Sequence, residues 1–107
     1  MNTPWGKPQG LSKQVADGIV FYSTASHGGY HLSAERKAQM PALYRAIKTF
    51  AGGNWYEEDC DWCLVALSFP QYFDERTLIA AKDTLRWNAE NSERYSAMQV
   101  IPTLLQT

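Results

Sequence analysis

The chain has 107 residues, 45 % hydrophobic and 20 % charged, with ten basic against eleven acidic side chains and a net charge of −1. That balance argues against a disordered chain and provides no field to draw the molecule along nucleic acid or onto an anionic membrane. The length fits one domain over residues 1–107 with a single core.

Residues 1–18 read as an irregular arm, because Pro4, Gly6, Pro8 and Gly10 interrupt helix and strand alike; Trp5 is expected to pin it to the body. Ile19-Val-Phe-Tyr22 has the β-branched and aromatic character of a strand, and Tyr30-His31-Leu32 can return beside it as a hairpin. Gly28 and Gly29 are expected at positive φ in the reversal. Ser33 reads as an N-cap, although Arg36 stands where a capping-box glutamate would be. Leu43, Ala46, Ile47 and Phe50 follow an i, i+3, i+4, i+7 pattern and predict a one-sided helix, which Pro41 opens or kinks and Gly52-Gly53-Asn54 ends.

Trp55-Tyr-Glu-Glu-Asp-Cys-Asp-Trp62 carries four carboxylates, and the residues from Trp62 to Phe69 carry no charge. Glu57, Glu58 and Asp59 in a first turn would favour a helix through its dipole, so Trp62–Phe69 is read as a buried helix in preference to a buried strand. Pro70 stops it. Asp74 then caps a further helix with Leu78, Ala81, Leu85 and Trp87 facing inward, fraying from Glu90 to Arg94. The apolar tail Val100-Ile-Pro-Thr-Leu-Leu105 either packs back or adds an edge strand. The predicted class is α+β, a small N-terminal β-hairpin against about three helices.

The longest apolar stretch is far short of the roughly 20 residues that cross a membrane, and the start lacks the basic end and apolar run of a secretion signal. A cytoplasmic location is therefore expected, with Cys60 and Cys63 as thiols. Their Cys-x-x-Cys spacing, with His27 and His31, makes a Cys₂His₂ zinc site arithmetically possible. Because the pair runs into a buried apolar segment, core packing is the favoured reading, and no metal or other cofactor is expected.

His27 with Ser23 or Ser26 and a carboxylate from the Glu57 to Asp61 group has the residue types of a nucleophile and its base. No Gly-x-Ser-x-Gly elbow surrounds Ser26, and Ser26-His27-Gly28-Gly29 lacks the pattern of a P-loop or dinucleotide loop. The acidic group Glu57, Glu58, Asp59 and Asp61 is read first as a solvated helix start; the alternatives are a divalent-metal site, a phosphate mimic or, with Trp55, Tyr56 and Trp62 beside it, a partner-binding surface.

Three motifs together, Thr3-Pro-Trp-Gly6, Gly18-Ile-Val-Phe-Tyr-Ser-Thr-Ala-Ser-His-Gly-Gly29 with Leu32-Ser33, and Trp55 to Trp62, resemble an uncharacterised domain family of bacterial plasmids, prophages and phages. The resemblance covers about the first 75 residues. Its members tend to have a small residue where Cys63 stands, which further weakens a two-thiol zinc site. Mobile elements of this kind carry small proteins that disable host defence, anti-CRISPR proteins among them. The resemblance thus implies a non-enzymatic inhibitor of a host defence protein or ribonucleoprotein complex, without direct nucleic-acid or membrane binding. Its expected partner-binding residues are Trp55, Tyr56, Glu57, Glu58, Asp59, Asp61, Tyr30 and His31, with Arg76, Lys82 and Arg86 as further contacts if the motifs serve the fold. The alternative is a small hydrolase or nuclease-like enzyme using His27 with Ser23 and Ser26.

Overall fold

The computed structural model describes residues 2–100. The predicted packing of the tail beyond Val100 lies outside the described residues. Four antiparallel strands form one sheet in the order β1-β2-β3-β4: β1 Lys13–Ala16, β2 Ile19–Ser23, β3 Gly28–Leu32 and β4 Trp55–Glu57. The helices are α1 Ala34–Gln39, α2 Ala42–Arg45, α3 Trp62–Ser68 and α4 Glu75–Asn91, with 3-10 turns at Pro70–Tyr72 and Glu93–Val100. The α+β class holds.

The β2–β3 hairpin forms in the register Ile19↔Leu32, Val20↔His31, Phe21↔Tyr30, Tyr22↔Gly29 and Ser23↔Gly28. Alternation along a strand sends successive side chains to opposite faces. Ile19, Phe21, Tyr30, Leu32 and Tyr56 thereby share the face that carries the core, while Val20, Tyr22, His31, Trp55 and Glu57 share the other. Ile19, Leu32 and Tyr56 are buried with Met40, Tyr44, Leu64, Val65, Leu85 and Met98 in one hydrophobic cluster.

Local hydrogen bonding explains the helix starts. Arg36 N donates to Ser33 Oγ at 3.1 Å and Thr77 N to Asp74 Oδ1 at 2.7 Å, so both predicted N-caps form. These bonds from Thr77 hold the Asp74 carboxyl below the usual carboxylate range. Arg36 has no acceptor to offer a capping box; its guanidinium instead lies over the rings of Phe69 and Tyr72 and donates to Asp17 O at 2.7 Å. Trp62–Ser68 is a helix, with Cys63, Leu64, Val65 and Ala66 buried.

Several expectations are corrected. The arm is not irregular throughout, because Lys13–Ala16 pairs with β2 across the Asp17-Gly18 turn. Gly28 and Gly29 lie in β3 without positive φ, and the reversal is made by Thr24 to His27, with Thr24 N donating to His27 O at 2.8 Å. Glu57 ends a strand rather than opening a helix. The 43–50 stripe breaks down because α2 stops at Arg45: Tyr44, Ile47 and Thr49 are buried, whereas Ala46 is exposed and Phe50 is 67 % exposed. Gly52 and Gly53, both at positive φ, lie well past the helix end and turn the chain into β4. Leu78, Ala81 and Leu85 face inward, but Trp87 is 63 % exposed and Asn88 and Ala89 take the interior positions instead. α4 does not fray at Glu90, and Arg94 is held in place by the interior.

Candidate functional site

The Thr3-Pro-Trp-Gly6 motif closes on itself as a turn. Thr3 N donates to Gly6 O at 2.9 Å, Gly6 N to Thr3 O at 3.1 Å, and Thr3 Oγ1 to Gly6 O at 2.8 Å. The turn presents Trp5 to the sheet face opposite the core, over Gly29. There the Trp5 ring meets Trp55 edge-on at 5.7 Å, and Trp55 also contacts Tyr22 at 5.7 Å and His31 at 4.6 Å. Trp5, Tyr22, His31 and Trp55 are all partly exposed, so the four rings form a continuous aromatic surface. Partial burial lowers the pKa of His31 below its ordinary value, which favours a neutral imidazole against the Trp55 ring.

At one end of this surface two turns meet. Glu58 N donates to Gly28 O at 2.9 Å, which brings the β2–β3 turn against the turn that follows β4. His27 Nδ1 lies 3.9 Å from Glu57 Oε2, and Asp59 N donates to Glu57 Oε1. His27, Glu58 and Asp59 are exposed, whereas Glu57 is 7 % exposed. The corner is an acidic rim around one histidine.

The predicted site residues divide accordingly. Trp55, His31, Glu58 and Asp59 reach the surface together. Tyr30 faces the opposite side, edge-on to Phe21 at 5.0 Å and Phe73 at 5.9 Å. Tyr56 is buried, its hydroxyl directed at Met40 Sδ; burial and then the Asp61 carboxylate push its pKa up to about 12. Asp61 is completely buried, so it supports the surface from beneath instead of offering a contact. Its carboxylate accepts from Phe50 N at 2.8 Å, from Arg94 Nη1 at 3.0 and 3.2 Å, and from the Tyr95 hydroxyl. Arg76, Lys82 and Arg86 are exposed along α4, and Arg86 pairs with Asp83 at 3.3 Å.

The hydroxyl-histidine constellation is not assembled. Ser26 Oγ donates to Trp5 O at 3.3 Å, Thr24 Oγ1 holds both His27 O and His27 N, and neither Ser23 nor Ser26 bonds the imidazole among the described residues. An open groove of about 510 Å³ lies elsewhere, between β1 and the start of α4, lined by Lys13, Phe21, Tyr30, Phe73 and Thr77.

The cysteines do not meet the histidines. Cys63 is buried, with its thiol directed at Cys60 O at 3.4 Å. Burial, and secondarily Asp61, push the thiols up to about 11 for Cys60 and about 12 for Cys63. The thiolate is the reactive form, so neither thiol is expected to react appreciably with a disulfide reagent at pH 8 in the native state. Both should react in urea. Rapid labelling of Cys63 under native conditions would contradict this burial.

The signals missed from sequence are Tyr22 and Trp5 as members of the ring surface, whereas the carboxylate expected beside His27 from the Glu57 to Asp61 group is Glu57. Strand alternation makes Tyr22 and Trp55 co-facial once the register is known, but no local pattern supplies that register.

No curated protein and no solved structure matches the chain. Residues 1–103, including the Thr-Pro-Trp-Gly turn, the hairpin and the acidic-aromatic corner, match the domain of unknown function DUF7007, and the chain belongs to that family.

Proposed function

We propose that this is a non-enzymatic binding protein of a mobile genetic element that inhibits a host defence protein or ribonucleoprotein complex, in the manner of an anti-CRISPR protein. The observation that carries the reading is the aromatic surface of Trp5, Tyr22, His31 and Trp55 beside exposed Glu58 and Asp59. Large rings next to charge are the chemistry of binding hot spots. An acidic rim complements a basic surface such as the nucleic-acid-binding face of a ribonucleoprotein. The hydrolase or nuclease alternative has the His27–Glu57 approach in its favour, but among the described residues no hydroxyl nucleophile is engaged by that histidine.

The test is a pull-down and titration against purified host defence complexes. Trp55→Ala, or Glu58→Lys with Asp59→Lys, is expected to weaken binding by about 2 kcal/mol or more, roughly thirtyfold in Kd. A folded sample that captures no defence component, or variants that bind as tightly as the parent, would overturn the reading.

A further inference from the structure

We propose that His27, Glu57 and Asp59 form a site for a divalent transition-metal cation, for which Zn²⁺ is the representative probe. Two turns distant in sequence bring the three groups together: His27 closes the β2–β3 reversal, Glu57 ends β4 and Asp59 follows in the next turn. One donor atom from each lies within 4.8 Å of the others. Ligand bonds of about 2.0–2.2 Å place the donors around one zinc ion roughly 3–4 Å apart. The 3.9 Å between His27 Nδ1 and Glu57 Oε2 is already in that range.

The second observation is the state of Glu57 itself. Its side chain is 91 % buried and directed into the corner. One oxygen accepts the Asp59 amide, while Oε2 meets no hydrogen-bond donor among the described residues. The imidazole at 3.9 Å is beyond hydrogen-bond reach. Oε2 is thus left open to ligate a cation placed between it and the imidazole. No Lys or Arg is ion-paired with Glu57 among the described residues.

The donor set also selects the cation. One imidazole nitrogen with two carboxylate oxygens suits a borderline transition ion, whereas Mg²⁺ and Ca²⁺ favour oxygen alone. With three protein ligands and an exposed rim, the ion keeps a position open to solvent, as open zinc sites do. This site differs from a Cys₂His₂ arrangement: it uses neither thiol and leaves His31 against Trp55. It shares Asp59 with the binding surface proposed above, but its test, metal binding by the chain alone, does not depend on that reading.

The experiment is a titration of Zn²⁺ alone into the full chain at pH 7.5, followed by calorimetry and by the amide and imidazole resonances in NMR. One saturable equivalent is expected, with shifts centred on the His27 ring and the amides of 57–59. His27→Ala and Asp59→Asn alter exposed positions and leave the fold intact; each should weaken binding about tenfold or more. Cys60→Ser should leave the affinity unchanged. Absence of saturable binding, shifts centred on His31 or the thiols, or parental affinity in both ligand variants would overturn the site. Equal affinity for Mg²⁺ would overturn its assignment to a transition cation.

Discussion

Asp61→Ala is expected to destabilise the fold by about 3–5 kcal/mol, the cost of breaking a buried ion pair from one side. Asp61 is fully buried and its carboxylate joins three parts of the chain: the loop at Phe50, the start of α3 and the C-terminal 3-10 turn through Arg94 and Tyr95. Arg94 donates in addition to Lys48 O at 2.8 Å, so its guanidinium ties the same loop to the same carboxylate. Removing Asp61 leaves Arg94 without its counter-charge, Phe50 N without its acceptor and the Tyr95 hydroxyl without its carboxylate. Domains of this size have a net stability of only about 5–15 kcal/mol, so the variant should be close to unfolding at 37 °C.

Denaturant melts of Asp61→Ala, Arg94→Ala and the double variant measure this directly. The double variant should cost clearly less than the sum of the singles, because the second substitution removes the charge stranded by the first. A loss below about 1 kcal/mol for Asp61→Ala, the size of a surface pair, would show that the network is not an interior one. Additive costs would show that the two residues act independently.

Gly29→Ala is the second large effect. A Cβ at this position would lie 2.5 Å from Trp5 Cη2 and 2.5 Å from the Tyr56 carbonyl oxygen. Trp5 sits on the arm and can swing away, but Tyr56 is fixed in the β3–β4 ladder opposite Tyr30. Overpacking of this kind costs about 1–3 kcal/mol. Gly29→Ala should therefore both lower stability and displace the Trp5 indole from Trp55, seen as a change in tryptophan fluorescence and in the indole resonances. In a Trp5→Ala background the stability cost should shrink without vanishing, since the backbone clash remains. An unchanged melt together with an unmoved indole would refute the close approach.

These two residues show where sequence reasoning stops. The tandem glycines are legible as part of the hairpin, but not their role: the pair is needed for space beside Tyr22 O, Tyr56 O and Trp5, and not for positive φ. The Asp17-Gly18 turn carried a strong local hairpin signal, yet the neighbouring prolines and glycines obscured β1. Asp61 looked like one of four equivalent carboxylates, and nothing within the Trp55 to Trp62 segment distinguishes it from Glu58 or Asp59. The hairpin packs against that segment, and the Glu58 N to Gly28 O bond is part of the contact.

By itself the sequence determined the features that rest on neighbours along the chain. These are the strand from Ile19 to Tyr22, the caps Ser33 and Asp74, the stop at Pro70 and the buried helix before it, each specified by local hydrogen bonds, a fixed φ or an unbroken apolar run. Only the tertiary structure decided which acidic side chains face inward and which rings meet. Asp61 finds Arg94 across 33 positions, and His27 reaches Glu57 only because two turns are packed side by side. A charge is buried where a distant partner offsets its desolvation, and that partner is chosen by the fold as a whole.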